Sequence, residues 1–438
     1  MSKQLGATAA LPPRLTWREA MATFRVGRQQ QGRILNGSLI MLTGTGMVSL
    51  LNFGYNVAVA RMLGPTGFGH AAAAVTLLML VSAITLSFQL VCAKLVARAE
   101  FAEVRCAVYH GLMRRAWKVG LALGSALALC SGVVADYLNL PTRWIVLLLS
   151  FGIAFYVPLG ARRGAMQGIC AFPRLTWNFI IEAGVKFVLA LLLVELGFGA
   201  LGAVGAITAS VVLAYFVPSL PQELRLRRAA AQPVSFRESM QALVFFVGQV
   251  VINNIDILLV KHFFPSDVAG LYAAVALVGR VVYFASWSVV SAMFPISAGA
   301  KREESAIGFL AVPLLLVLAI SVVFVSVLGF FPDLALRAVF GAGFNGGALD
   351  GLLSLYAAAT GLYALSVVLI TYEMSRRIAN TAWIQLAFSG AIVLGIYFFH
   401  NDLTQVVLVQ LVLMTIMLFA VSLPFVRRRT PAVLEEAA

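Results

Sequence analysis

Residues 48–74 read VSLLNFGYNVAVARMLGPTGFGHAAAA: an apolar run closed by Arg61, a short Gly/Pro turn, and a new apolar run that starts at once. The phrase returns at 248–276 as GQVVINNIDILLVKHFFPSDVAGLYAAVA. Asn56 corresponds to Asp256, Arg61 to Lys261 and Pro65 to Pro265, each at an offset of 200, and Gly69 corresponds to Gly270, one residue out of register. A repeat that sets a charge, a proline and a glycine at matching points marks two related halves. In a membrane protein such halves usually frame a substrate path.

The surrounding composition fits that setting. Of the 438 residues, 61% are hydrophobic and 11% charged, where a globular chain carries roughly 25% charged residues. Mean hydropathy is +0.94. These values exclude a soluble domain of useful size. The net charge of +14 is not read as a nucleic-acid footprint, because the basic residues fall in short polar connectors where they set topology and meet anionic lipid heads. Cys92, Cys106, Cys130 and Cys170 show no CxxC or Cys/His spacing and read as small apolar packers. The basic N-terminal stretch is not a signal peptide: the apolar run that follows is too long and no small-residue cleavage site ends it. Residues 14–30 read either as a basic amphipathic helix on the inner membrane face or as a tail that fixes orientation.

Backbone groups in lipid must bond within their own segment, so each long apolar run predicts a helix, and a span needs about 20 such residues. The runs predict an all-α polytopic membrane protein of about twelve transmembrane helices, arranged as two six-helix bundles related by a pseudo-two-fold axis along the membrane normal. The organisation read from the chain is a basic segment 1–33, a first bundle 34–220, a linker 221–238, a second bundle 239–426 and a tail 427–438. With both termini cytoplasmic, 26 of the 32 Lys and Arg residues face inward and only Arg61, Arg143, Lys261 and Arg337 face outward; Lys186 and Arg280 lie inside spans. That bias is the positive-inside pattern. On this count Arg162 and Arg163 lie on the inner side, at the end of the apolar run 144–163. A fainter echo, LTWNFIIEAG at 175–184 against TAWIQLAFSG at 381–390, aligns Trp177 with Trp383 and Gly184 with Gly390.

Charges inside spans carry the most functional weight, since a Lys, Arg or Asp at a helix centre costs about 2.5–3.5 kcal/mol. Glu182 and Lys186 stand four apart on one helix, so they share a face and are expected to pair, or to serve a cavity in which Glu182 takes a proton or cation and Lys186 meets an anion. Arg280 lies ~18 Å from the outer end of its span; its planar fork suits phosphate oxygens, and Asp256 of the preceding span is the competing partner. The cationic, substrate-binding set is therefore Arg280, Lys186 and Arg61, the ion-coupling set Glu182 and Asp256, and the polar lumen set Asn52, Asn56, Asn253 and Asn254. For Arg61 and Lys261, at the ends of matching spans, the simpler reading is snorkelling to the interface. GAGFNGG at 341–347 follows no strand and is no nucleotide loop. The four histidines form neither a triad nor a metal cluster, so neither a hydrolase nor a metal site is expected.

Four stretches in order, VARMLGPTGFG (59–69), RRGAMQGICAFPRLTWNFIIEAGVKF (162–187), NNIDILLVKHFFPSDVAGLYAAVALVGRV (253–281) and VFGAGFNGGALDGLLSLYAAATGLYAL (339–365), resemble the Wzx-type lipid-linked oligosaccharide flippases of the multidrug/oligosaccharidyl-lipid/polysaccharide (MOP) exporter superfamily. The resemblance covers residues 34 to 425. It implies a V-shaped pair of bundles around a cationic cavity and alternating access driven by H⁺ or Na⁺, with no other cofactor. The implied cargo is an undecaprenyl-diphosphate-linked glycan, in a bacterial inner membrane. The bilayer and polysaccharide polymerase or chain-length machinery are the implied partners, and nucleic acid is not. LYAAVALVGRVVYFASWSVVSAMFPISA (271–298) is similar to the eighth span of lipid II flippases, which implies a functional role for Arg280. The extra C-terminal spans and first-span arginines of those relatives are missing here, which argues against lipid II itself. Two other classes compete. A MATE-like multidrug or cation antiporter would need an acidic cavity, which the two intramembrane cations disfavour. A membrane enzyme such as a glycan polymerase would need a sizeable outer loop, and the longest outer connector, near 331–349, is short.

Overall fold

A computed structural model of the protein describes residues 17–224, 236–286, 288–290, 306–341, 343–344, 349–376 and 382–427. The tail 428–438, the segment 1–16 and most of the linker 221–238 lie outside the described residues.

The helix α1 runs Trp17–Arg98 and is broken at Gly64, whose φ of 66° only glycine adopts at low cost. Pro65 follows and, lacking an N–H, begins the next helical arm without losing a bond. The two arms are antiparallel. A Cβ on Gly44, in the first arm, would touch Thr176 at the start of α5 (Phe172–Leu193), and one on Gly168, at the end of α4 (Trp144–Gly168), would lie 2.7 Å from the Ala93 carbonyl in the second arm. Since α4 and α5 are consecutive, residues 44 and 93 lie at one end and the chain reverses between them. The same device recurs where a π-helical turn, Val194–Phe198, joins α5 to α6 (Gly199–Phe216): Gly197 and Gly199 have φ of 88° and 55°. Asn178 near the start of α5 then donates to the carbonyls of Ala214 (2.6 Å) and Val217 (2.8 Å) at the far end of α6.

Between these lie α2 (Ala102–Leu129) and α3 (Ser131–Tyr137), a pair bent by 65°. The second half comprises α7 (Phe236–Phe263), α8 (Ser266–Gly279), α9 (Ala306–Phe330), a short α10 (Pro332–Phe340), α11 (Asp350–Arg376), α12 (Ala382–Phe398) and α13 (Leu403–Arg427). Eight of these stretches are long and apolar enough to cross a membrane, or nine with the bent pair. Two of the eight, Thr43–Arg98 and Phe172–Phe216, are the doubled-back hairpins, and Ala382–Phe398 is a shorter apolar helix, so the chain makes twelve passes. The outer face is apolar: Leu315, Leu316, Val322, Val323 and Phe330 of α9 are all exposed. This is the surface of a multi-pass membrane protein, with hydrocarbon as its solvent. The expected echo holds locally, with Trp177 and Trp383 exposed near the starts of α5 and α12 and open space beside Gly184 and Gly390.

The two halves meet where the repeat meets itself. A Cβ on Gly69 would lie 2.7 Å from the Ser266 carbonyl and 3.0 Å from the Gly270 nitrogen, and one on Gly270 would lie 1.8 Å from the Pro65 carbonyl. Phe68 packs against Phe340 in a tilted arrangement and against Phe344 edge-to-face, both ring centroids at 6.0 Å. Hydrogen bonds between described residues of opposite halves all gather at this Gly64 end: Arg61 to the carbonyls of Val339 (2.8 Å) and Ala338 (2.6 Å), Asn139 to those of Lys261 (3.3 Å) and His262 (3.2 Å), and His262 to that of Tyr137 (2.7 Å). Gly270→Ala drives a methyl into backbone that cannot yield, so it should destabilise the fold by about 1–3 kcal/mol. Gly390→Ala, in open helix, should leave stability unchanged or raise it. Thermal melting of the two purified variants is the check.

Candidate functional site

The first polar cluster joins α1, α4 and α5. Arg163 is buried in α4, and its Nε donates to Asn178 Oδ1 (2.6 Å) while Nη2 pairs with the Glu182 carboxylate. Its guanidinium also stacks on Phe179, 4.1 Å from the ring centre. The helix runs on past the end of the apolar stretch: α4 continues to Gly168, so Arg162 and Arg163 are buried within it and not at its tip. One expectation falls here: Glu182 does not pair with Lys186. A rigid arginine fork from the next helix outcompetes a flexible ammonium one turn away.

Lys186 instead donates to Asn52 Oδ1 and sits 5.0 Å from the ring centre of Tyr55, whose hydroxyl is tied to the Ala203 carbonyl (3.2 Å). It is half-buried, and among the described residues no carboxylate lies within ion-pair distance of it. Its direct partners are neutral, and the carboxylate that acts on it through space, Glu182, is itself paired with Arg163.

The second cluster lies in the other half. Arg280, at the end of α8, donates from Nη2 to Asp256 Oδ1 (2.8 Å), from Nε to the Tyr356 hydroxyl (2.9 Å) and from Nη1 to Asn254 Oδ1 (3.4 Å). Tyr356 and Tyr272 donate to Asp256 Oδ2 (2.8 and 3.0 Å), and Gln410 donates to Tyr272 (2.9 Å). Asp256 is fully buried and Arg280 nearly so. Four helices, α7, α8, α11 and α13, thus converge on one neutral, satisfied network. Spacing pointed to Asp256 and Arg280; it gave no sign of Tyr272, Tyr356 or Gln410, whose roles arise only when distant helices pack. Of the other asparagines, Asn56 and Asn253 donate back to carbonyls of their own helices, at Asn52 (2.8 Å) and Gln249 (2.9 Å).

Neither terminal cation snorkels. Lys261 is fully buried, its ammonium folded onto the Ser266 hydroxyl, because the start of α8 closes over it. Arg61 is exposed but bound across the seam to carbonyls at the C-terminal end of α10. Cys92 and Cys106 are buried, as small packers would be, whereas Cys130 and Cys170 are exposed. Among the described residues, no three His, Cys, Asp or Glu side chains gather as a metal site would require.

Solved transporter structures share this architecture. The chain is similar to an inward-facing multidrug-resistance MATE transporter (TM-score 0.69, 15% identity, 90% of this chain and 99% of that one). It is also similar to the lipid II flippase MurJ in an inward closed conformation (0.71, 12%, 88% and 87%) and to an outward-facing MATE transporter (0.59, 14%, 89% and 93%). No curated protein sequence matches it. Residues 34–301 match the polysaccharide biosynthesis protein family, and the chain belongs to that family. The family is one of polysaccharide biosynthesis proteins, and the fold is the one these MATE and MurJ structures share.

Proposed function

We infer that the protein moves an undecaprenyl-diphosphate-linked oligosaccharide, a repeat unit of O-antigen, capsule or exopolysaccharide, from the inner to the outer leaflet of a bacterial inner membrane. The observation that carries this reading is Lys186: a half-buried ammonium inside a span, held by an amide oxygen and a ring face, whose nearest acidic neighbour on the helix, Glu182, is already paired with Arg163. Such a charge is too costly to keep without a use, and a diphosphate head is the part of the cargo it suits. With both termini cytoplasmic, as the Lys/Arg bias supports, the Gly64 end faces outward. Its hydrogen bonds then close the exit while the head group is received from the cytoplasmic side.

The second cluster supports a reading in which transport is coupled to H⁺ or Na⁺. As built, Asp256 and Glu182 are each neutralised by an arginine and have no charge left for a cation. A diphosphate that draws Arg280 away would leave Asp256 to take up the ion, and this gives the two states unequal ion affinity, as coupling requires. A MATE-like cation antiporter is the second reading, favoured by the fold match; the unpaired positive charge at Lys186 opposes it. Cells lacking the protein should accumulate one lipid-linked glycan on the cytoplasmic leaflet and lose it from the surface. Unchanged surface glycan together with new drug sensitivity would support the antiporter instead.

A further inference from the structure

The repeat places one cation of each half, Arg61 and Lys261, at the same point, and both lie at the seam between halves; Arg61 has only neutral hydrogen-bond partners, whereas Asp267 acts on Lys261 through space. Arg61 uses two of its five N–H groups on the Ala338 and Val339 carbonyls; Lys261 rests on a serine hydroxyl. No carboxylate of a described residue lies within ion-pair distance of either. Beside Arg61 is a cavity of about 290 Å³, lined by Ala60, Gly64, Phe340, Gly341, Gly343 and Phe344. Side chains added at Gly64 or Gly341 would meet nothing within 4 Å, so the space is open on both sides of the seam. The described lining offers a bidentate donor, positive charge and aromatic walls, and contains no carboxylate.

We propose that this seam pocket is a phosphate-binding exit station. A phosphate or diphosphate group takes the Arg61 guanidinium from the carbonyls of Ala338 and Val339, and the loss of those two bonds loosens the outer seam. Carbonyl oxygens at a helix end are weaker partners for a guanidinium than a phosphate, which offers two charged oxygens to the same fork. The exit role rests on the flippase reading above; the phosphate site itself does not. The phosphate could belong to cargo or to an anionic phospholipid, and the two sources are separable.

The test uses the full chain in phosphatidylcholine nanodiscs, with Cys130 and Cys170 changed to Ser and spin labels on Arg143→Cys and Asn401→Cys. Both label sites are exposed at the Gly64 end, one on each half. Geranyl diphosphate should lengthen the inter-label distance in the parent and equally in Gly390→Ala, an open-helix position remote from both polar clusters. In Arg61→Gln the distance should start long, with half-maximal response moved up by about tenfold or more. Arg61→Lys, which keeps the charge but loses the fork, should respond at an intermediate concentration and guards against a folding defect in the Gln variant. An equal response to dihexanoyl phosphatidylglycerol would assign the phosphate to the bilayer; a response to the diphosphate alone would assign it to cargo. No lengthening in the parent, or an Arg61→Gln response identical to the parent's, would overturn the proposal. Since no glycan export is measured, failure of the flippase reading would leave this result standing.

Discussion

Arg280→Ala should both unfold and silence the protein. It strips from a fully buried Asp256 the one cation paired with it among the described residues, and leaves Tyr356 and Asn254 without their shared donor. Breaking a buried pair from one side costs about 3–5 kcal/mol. A lost surface glycan in that variant would therefore say nothing about transport. The informative variant is the double exchange Asp256→Asn with Arg280→Gln. An Asn keeps an oxygen for the hydroxyls of Tyr272 and Tyr356, a Gln can still donate, and no charge remains to be desolvated. Replacing both members of a buried pair is often close to neutral, so the double variant should melt within about 1–2 kcal/mol of the parent. If Arg280 serves the diphosphate and Asp256 the coupling ion, glycan export should nonetheless be lost. Export at the parental level would reduce the network to a structural tie.

Lys186→Ala is the opposite case, with stability kept and function lost. The residue is half-buried, and its losses are one hydrogen bond to Asn52 and a cation–π contact with Tyr55. Removing a costly intramembrane charge offsets those losses, so the net change should stay within about 1 kcal/mol. Asn52 and Tyr55 keep their other ties, through Asn56 and Ala203. Membrane content and melting should match the parent while surface glycan disappears. A variant that neither melts differently nor loses glycan would move the phosphate contact elsewhere.

What the sequence made legible, and what it hid, divides along one line. Apolar runs encode helices because lipid demands internally bonded backbone, so the twelve passes could be read. The repeat could be read too, and the one-residue slip at Gly69 and Gly270 falls where the two glycines touch across the seam. Partner choice between helices could not. Spacing on α5 set Glu182 over Lys186, but the partner that won, Arg163, comes from α4 and was hidden by the end of its apolar run. Lys261 looked like an interfacial anchor because its own span ends there; the helix that buries it begins only at Ser266. One-dimensional patterns report the solvent around each helix and leave open which neighbour it meets.

The decisive measurement is transbilayer movement of purified undecaprenyl-diphosphate oligosaccharide in proteoliposomes containing the parent or Lys186→Ala, at matched protein content. The flippase reading predicts rapid movement with the parent and a rate about 10- to 100-fold lower without the ammonium, the equivalent of one charge-assisted hydrogen bond lost from the transport path. Equal rates for the two proteins, or no movement with either, would contradict it.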